Sequence, residues 1–310
     1  MKKISVVTPC YNEEDNIYEC VKVIKEVFSN YSNYSYEHIF IDNASTDSTV
    51  EKLKELAKEN KNIKIIVNSR NFGWIKSPYY GLLQANGDAV ILFVADMQDP
   101  ASLIPDFIKK WEEGYKSIVG IKKNSEENKF MFNVRKLYYR FVNKLSNIDL
   151  IDNFTGYGLY DKKIIEILRE MDEPYPYFRG LISEIGLEIF FIEYSQPLRF
   201  KGITKSNFFT LYDVAMLGIT SHSLVPLRLA TMLGFSISIL SLVVAFVYFI
   251  LKIIFWDTFS MGVAPIVIGL FFFSSVQLFF IGIIGEYIGS IHAYSKKRPL
   301  VIEKERVNFE

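Results

Sequence analysis

The chain has 310 residues, half of them hydrophobic, with 35 basic against 35 acidic side chains and a mean hydropathy of +0.15. A formal charge of zero provides no electrostatic footprint for nucleic acid, and two cysteines, Cys10 and Cys20, exclude both a disulfide framework and a Cys-rich zinc site. That length buries one full α/β domain with apolar sequence left over, and the excess is concentrated towards the C-terminus.

The opening Met-Lys-Lys-Ile-Ser-Val-Val-Thr-Pro has too short an apolar run for a signal peptide, and Pro9 breaks it, so it reads as a first strand. Through residue 120, short β-branched runs then alternate with helical patterns. Ile4 to Val7 precedes apolar positions at Ile17, Val21, Ile24 and Phe28; His38 to Ile41 precedes Val50, Leu53 and Leu56; Ile63 to Val67 and Ala89 to Val94 follow. This alternation predicts βαβ units and a mainly parallel sheet.

Residues 121 to 145 intersperse Lys122, Lys123, Lys129, Arg135, Lys136, Arg140 and Lys144 with aromatic residues, the pattern of an amphipathic helix lying on a membrane surface or packed on the sheet. Residues 207 to 222 read as an interfacial helix. Two uncharged stretches follow, 229 to 251 and 258 to 285, each longer than the roughly 20 apolar residues that cross a hydrocarbon core. Arg228 before them and Lys296-Lys297-Arg298 after them place both chain ends in the cytoplasm by the positive-inside rule, with the short connector outside. Neither span contains an ionisable residue of the kind that marks a transport path, so they read as an anchor; Gly282, Gly285 and Gly289 fall at helical spacing. The expected organisation is a cytosolic catalytic domain over 1–205, an interfacial helix over 206–228, two membrane helices over 229–290 and a tail over 291–310.

Polar residues collect where the strands end. The first strand runs into Pro9-Cys-Tyr11-Asn-Glu13-Glu14, and the second into Asp42-Asn-Ala-Ser45-Thr-Asp47-Ser-Thr49. Asp42 is suited to accept from a base N–H, Tyr11 to pack on a base or ribose, and Glu13 to accept from ribose hydroxyls, while Asp47 has the setting of a helix cap. The run Phe93-Val-Ala-Asp96-Met-Gln98-Asp99-Pro100 places hard oxygen ligands at a strand's carboxyl end, where open α/β sheets bind ligands and a Mg²⁺ or Mn²⁺ ion is at home. The alternative is that Asp96 caps the next helix and Asp99-Pro100 only turns the chain.

Together with Arg70-Asn-Phe-Gly73, Tyr177-Phe-Arg-Gly180 and Arg199-Phe-Lys-Gly-Ile-Thr-Lys205, these motifs resemble the inverting family 2 glycosyltransferases of the GT-A fold, specifically the polyprenyl-phosphate enzymes related to dolichyl-phosphate mannose synthase and the bactoprenol glucosyltransferases. The resemblance covers nearly the whole chain. It implies transfer of a sugar, glucose or another hexose, from a UDP-sugar to undecaprenyl phosphate for cell-envelope glycosylation. Pro9, Tyr11, Glu13 and Asp42 would hold the nucleoside; Asp96, Gln98 and Asp99 would meet the metal; Arg199 and Lys205 would lie near the phosphates, with Lys122 and Arg135 for the acceptor phosphate. A homo-oligomer, possibly a tetramer through the spans, is implied as well.

Two positions depart from the family pattern. Val94 replaces the first Asp of the usual Asp-x-Asp, and Gly156 occupies the place of an acidic residue proposed as a base, leaving Asp152 nearby as a residue to orient acceptor or sugar. These departures motivate a competing reading as a non-catalytic nucleotide-sugar sensor. A processive polysaccharide synthase shares the donor motifs, but its Gln-x-x-Arg-Trp segment does not occur here. A dehydrogenase is a poor fit because no Gly-x-Gly-x-x-Gly turn follows the first strand.

Overall fold

A computed structural model describes residues 1–31, 33–123, 151, 153–196, 224–255, 263–296 and 298–309. The N-terminal alternation is realised as β1 (Lys2–Cys10), α1 (Ile17–Ser29), β2 (Tyr34–Asp42), α2 (Thr49–Glu59), β3 (Ile63–Asn68), α3 (Gly73–Gln84) and β4 (Ala89–Leu92). After a short 3₁₀ turn at Ala101–Leu103 come α4 (Ile104–Glu112), β5 (Ser117–Lys122), β6 (Phe154–Asp161), α5 (Lys162–Met171), α6 (Phe178–Glu184) and β7 (Ile189–Tyr194). Two long helices, α7 (Val225–Ile254) and α8 (Val263–Ser295), and a last strand, β8 (Glu303–Val307), complete it.

All eight strands form one sheet in the order β7-β5-β6-β4-β1-β2-β3-β8. Its centre is parallel: β1 pairs with β2 and β4, and β2 with β3. Strand β6 enters antiparallel between β4 and β5, and β8 closes the far edge antiparallel to β3. The central strands are apolar almost throughout because helices cover both faces. On one face α1, α2 and α4 supply Ile17, Ile24, Leu53, Phe107 and Trp111 to a core with Ile4, Val6 and Phe40. On the other, α3, α5 and α6 supply Tyr79, Leu82, Leu168 and Leu181 over Val7, Ile39, Ile41 and Val90. Residues at i, i+3, i+4 and i+7 on α1, namely Ile17, Cys20, Val21 and Ile24, all point inward, as the period requires.

Three boundaries differ from the expectation. The strand expected through Val94 ends at Leu92, with one more bond to β1 from Phe93 N–H to Val7 O at 2.9 Å before the chain turns and Met97 N–H donates to Val94 O. The first apolar helix runs on through Lys252 to Ile254, beyond the stretch that ends at residue 251. The tail is no loose end: its residues 303–307 are the edge strand β8. Of the surface helix expected over 121–145, residues 121 and 122 instead end β5 and 124–145 lie outside the described residues, as does the helix expected over 207–222.

Helices α7 and α8 are each long and apolar enough to cross a membrane, and their large side chains, Phe235, Leu242, Phe271 and Leu278 among them, are exposed.

Candidate active site

A cavity of about 640 Å³ opens at the carboxyl ends of β1, β2 and β4, lined by Pro9–Glu13, Asn43, Asn71, Gly73–Ile75, Val94–Asp96, Thr155 and Pro176–Arg179. This is the crevice where an open α/β sheet takes its ligand. Two loops form one end of it and are bound to each other. Asn12, in the left-handed region at φ 56°, donates its N–H to Ser45 Oγ at 2.9 Å, and its Oδ1 accepts from Thr46 N–H at 2.8 Å. Glu13 N–H donates to Thr49 Oγ1 at 2.9 Å, and Glu14 N–H to Asp47 Oδ2 at 3.3 Å. Asp47 also takes the Thr49 N–H at 3.0 Å in a local side-chain turn, one residue ahead of Ser48, which holds the helix-cap position expected of Asp47.

Asparagines pin the third loop. Asn43 donates to Asn71 Oδ1 at 2.9 Å and to Gly73 O at 3.2 Å, while its own Oδ1 accepts from Phe72 N–H at 2.9 Å and Asn68 Nδ2 at 3.2 Å. Asn68 donates also to Ser77 at 3.0 Å. The Arg70–Gly73 turn is thereby fixed to the end of β2, and exposed Trp74 stands at the cavity wall behind it.

Asp96 faces the cavity from a tight turn. Its Oδ1 accepts from Gln98 N–H at 3.2 Å, and Met97 between them has φ 61°, a conformation a side chain of that size rarely adopts. Asp99 faces the other way: it is buried, accepts a hydrogen bond from the Tyr194 hydroxyl at 2.7 Å, and burial raises its carboxyl to about 6, with the Tyr194 bond and Lys122 pulling back. Asp42, expected to accept from a base N–H, is fully buried and is not among the residues lining the cavity; its two oxygens are taken up by Ser45 N–H and the Ser45 hydroxyl, and burial pushes its pKa up. Cys10 lines the cavity, but burial raises its thiol well above the usual range and keeps it protonated.

Among the residues singled out from the sequence, Pro9, Tyr11, Glu13 and Asp96 come together around this cavity. Gln98 is half-buried on the turn beside it, and Lys122 ends β5. Arg135, Asp152, Arg199 and Lys205 lie outside the described residues. The structure adds Asn43, Asn71, Trp74, Thr155, Tyr177 and Arg179, of which Arg179 is the cation among the described residues lining the cavity. Several belong to the Arg70–Gly73 and Tyr177–Gly180 motifs, which were visible without revealing what they face.

Gly156 explains one departure from the family pattern. Its φ is +102°, which strains any residue with a Cβ, and an added Cβ would sit 3.1 Å from Leu92 Cδ2, so an acidic side chain there would also require Leu92 to give way.

The mainly parallel, Rossmann-like sheet is of the GT-A type, and residues 5–168 match the model of glycosyl transferase family 2. The chain belongs to that family and is a glycosyltransferase. It is 34% identical to an uncharacterized glycosyltransferase of Synechocystis sp. over 99% of this chain and 96% of the relative. It is 32% identical to a prophage bactoprenol glucosyl transferase homolog of Escherichia coli over 97% of this chain and 98% of that one. The bactoprenol glucosyl transferase of Shigella phage SfV is likewise 32% identical over 97% of this chain and 98% of its own. Among solved structures, glucosyl-3-phosphoglycerate synthase from Mycobacterium tuberculosis aligns with a TM-score of 0.47 and 16% identity, over 70% of this chain and 75% of that one.

Proposed function

We propose that this glycosyltransferase moves a hexose from a UDP-sugar, with inversion, onto the phosphate of undecaprenyl phosphate at the cytoplasmic face of a membrane. The observation that carries the reading is similarity along the whole chain to proteins named as bactoprenol glucosyl transferases, apolar helices included. The spans anchor the enzyme where its lipid acceptor lies, and the basic residues Arg228 and Lys296–Arg298 flank them on the cytoplasmic side.

The donor end of the cavity suits a nucleoside: Tyr11 offers a ring and Glu13 an acceptor for hydroxyls. A diphosphate entering there meets two carboxylates, Glu13 and Asp96, against one cation, Arg179, among the described residues lining the cavity. A divalent metal resolves that repulsion. Asp96, with Gln98 beside it, fits Mg²⁺ or Mn²⁺ held jointly with the donor's phosphates, since such ions take one or two carboxylates and complete their shell with substrate oxygens and water. When bound, the ion stabilises the charge that builds on the departing UDP.

The acceptor needs no protein base. A phosphate monoester has its second pKa at about 6 and is mostly dianionic near neutral pH. One of its oxygens attacks the anomeric carbon; the bond from that carbon to the donor's phosphate oxygen breaks, and UDP leaves with the electron pair. The chain's task is to align the two reactants and screen their charge, with Arg179 in the cavity wall and Lys122, Arg135, Arg199 and Lys205 as further phosphate partners. Gly156 in the place of an acid is compatible with that chemistry.

The test is nucleotide release by detergent-purified protein given undecaprenyl phosphate and UDP-glucose, UDP-galactose, UDP-GlcNAc or GDP-mannose with Mn²⁺. Lipid-dependent release from one UDP-sugar, reduced at least 100-fold in Asp96→Ala, is expected. Release from no UDP-sugar, or release independent of lipid, rejects the reading.

A further inference from the structure

Tyr194 is the last residue of β7, and its side chain is almost fully enclosed. Its hydroxyl donates to Asp99 Oδ1 at 2.7 Å. Asp99 closes the turn that starts at Asp96, which lines the cavity. A single phenol at the end of β7 therefore holds the carboxylate turn after β4. The neighbouring Tyr157 supports it: its ring meets that of Tyr194 edge-on at 5.7 Å, and its hydroxyl donates to Pro100 O at 2.7 Å, the residue after Asp99.

Room for both rings comes from Gly120. A Cβ there would lie 3.0 Å from Tyr157 Cδ1 and 3.0 Å from Tyr194 Cε1, and the pairing of β5 with β6 shifts register between Val119 and Ile121, around this same glycine. Bulges of this kind re-aim side chains next to active sites. Meanwhile Met97, at φ 61°, shows that the turn does not hold its shape by backbone preference and needs an outside anchor.

We propose that Tyr194 is a positioning residue for the Asp96–Asp99 turn: its phenol holds the Asp99 carboxylate in the core, so that Asp96 is presented to the cavity in the geometry a divalent cation requires. Asp99 then acts behind the metal rather than on it. This rests on the metal reading given above. Groups hydrogen-bonded directly to metal ligands change metal affinity by about 10–100-fold when removed, and the Tyr194 link, one bond further out, is expected at the low end of that range.

The experiment is calorimetric titration of UDP into the full chain in detergent, with and without Mn²⁺, for the wild type, Tyr194→Phe, Gly120→Ala and Asp96→Ala, alongside thermal melting of each. Tyr194→Phe, which keeps the ring and loses only the hydroxyl, is expected to need about tenfold more Mn²⁺ for half-maximal enhancement of UDP binding. Its metal-free UDP affinity stays within about twofold of wild type, and in turnover the Mn²⁺ activation constant rises while kcat at saturating Mn²⁺ is kept. Gly120→Ala, which pushes the ring from the other side, shifts the Mn²⁺ requirement in the same direction. A Tyr194→Phe protein with wild-type Mn²⁺ dependence overturns the proposal, whether or not its melting temperature falls. Should Asp96→Ala and wild type respond alike to Mn²⁺, the metal reading itself fails and the proposal with it, an outcome that differs from failure of the Tyr194 link alone.

Discussion

His38 and Glu37 show how single residues tie this sheet to acidity. His38 is buried in β2, shares a 2.8 Å hydrogen bond with Thr8 Oγ1, and lies against Phe40; burial pulls its pKa from 6.5 to about 3. In the fold the ring stays neutral, whereas the unfolded chain takes up a proton below about 6.5, so stability falls as pH drops from about 6.5 towards 3. Glu37 next to it is also buried. Burial alone would raise its carboxyl, but hydrogen bonds from Lys3, Ser5 and Lys64 bring it down to about 2, so its contribution is present above about 4.5 and lost below that, as pH falls towards 2. The two windows overlap between about 4.5 and 3, and of the two only His38 acts between about 6.5 and 4.5. Between pH 6.5 and 4.5, His38→Gln is expected to flatten the dependence of unfolding free energy on pH; an unchanged slope in denaturant titrations would assign that loss to other groups.

At the scale of elements, β8 shapes the enzyme most unexpectedly. Ile302 O accepts from Ser69 N–H at 2.8 Å, one residue before the Arg70–Gly73 turn, and Glu305 pairs with Lys54 at 2.6 Å. That ion pair is half-exposed and adds little. Asn308 matters more, because its Nδ2 donates at 2.8 Å to both Ala57 O and Ile63 O, joining the end of α2 to the start of β3. Asn308→Ala leaves two backbone carbonyls without this donor and is expected to cost about 1–3 kcal/mol. Deleting 301–310 uncovers the β3 edge, a template for association between chains. Thermal unfolding and size-exclusion profiles in detergent read both effects, and a tail-less chain that melts and elutes like wild type would show that β8 only decorates the sheet.

For the whole molecule, the same strand limits how the helices run. Since β8 pairs with β3, the chain must come back to the sheet after α8, and a chain that crosses a membrane in α7 must recross it in α8. An even number of crossings follows from strand pairing alone, independent of loop charge. Both native cysteines are buried, with thiols held protonated, so introduced cysteines can be read over a low background. An impermeant maleimide added to intact cells is expected to label Ser260→Cys, which lies in sequence between the end of α7 and the start of α8, and to spare Lys304→Cys in β8. Labelling of Lys304→Cys from outside would reverse the proposed orientation, and equal protection of both would argue against a crossing hairpin.

The sequence by itself determined the βαβ alternation, the polar loops that follow β1 and β2, the carboxylates after β4 and the apolar helices, because each is written in neighbouring residues: period 2 or 3.6, polar groups at strand ends, and unbroken hydrophobic runs. Helix α1 follows its apolar positions from Ile17 to Phe28 without exception. Only the tertiary structure decided what distant residues do to each other. The motif Asp96-Met-Gln-Asp99 looks like a row of equivalent ligands, yet the left-handed Met97 and the Tyr194 hydroxyl turn Asp99 into the core while Asp96 faces the cavity. Arg179 and Asn43 reach one cavity across 136 residues of chain, and β8, polar and alternating, becomes a strand only because β3 offers it an edge. Such facts depend on strand order and packing between segments far apart in the chain, which local periodicity does not encode.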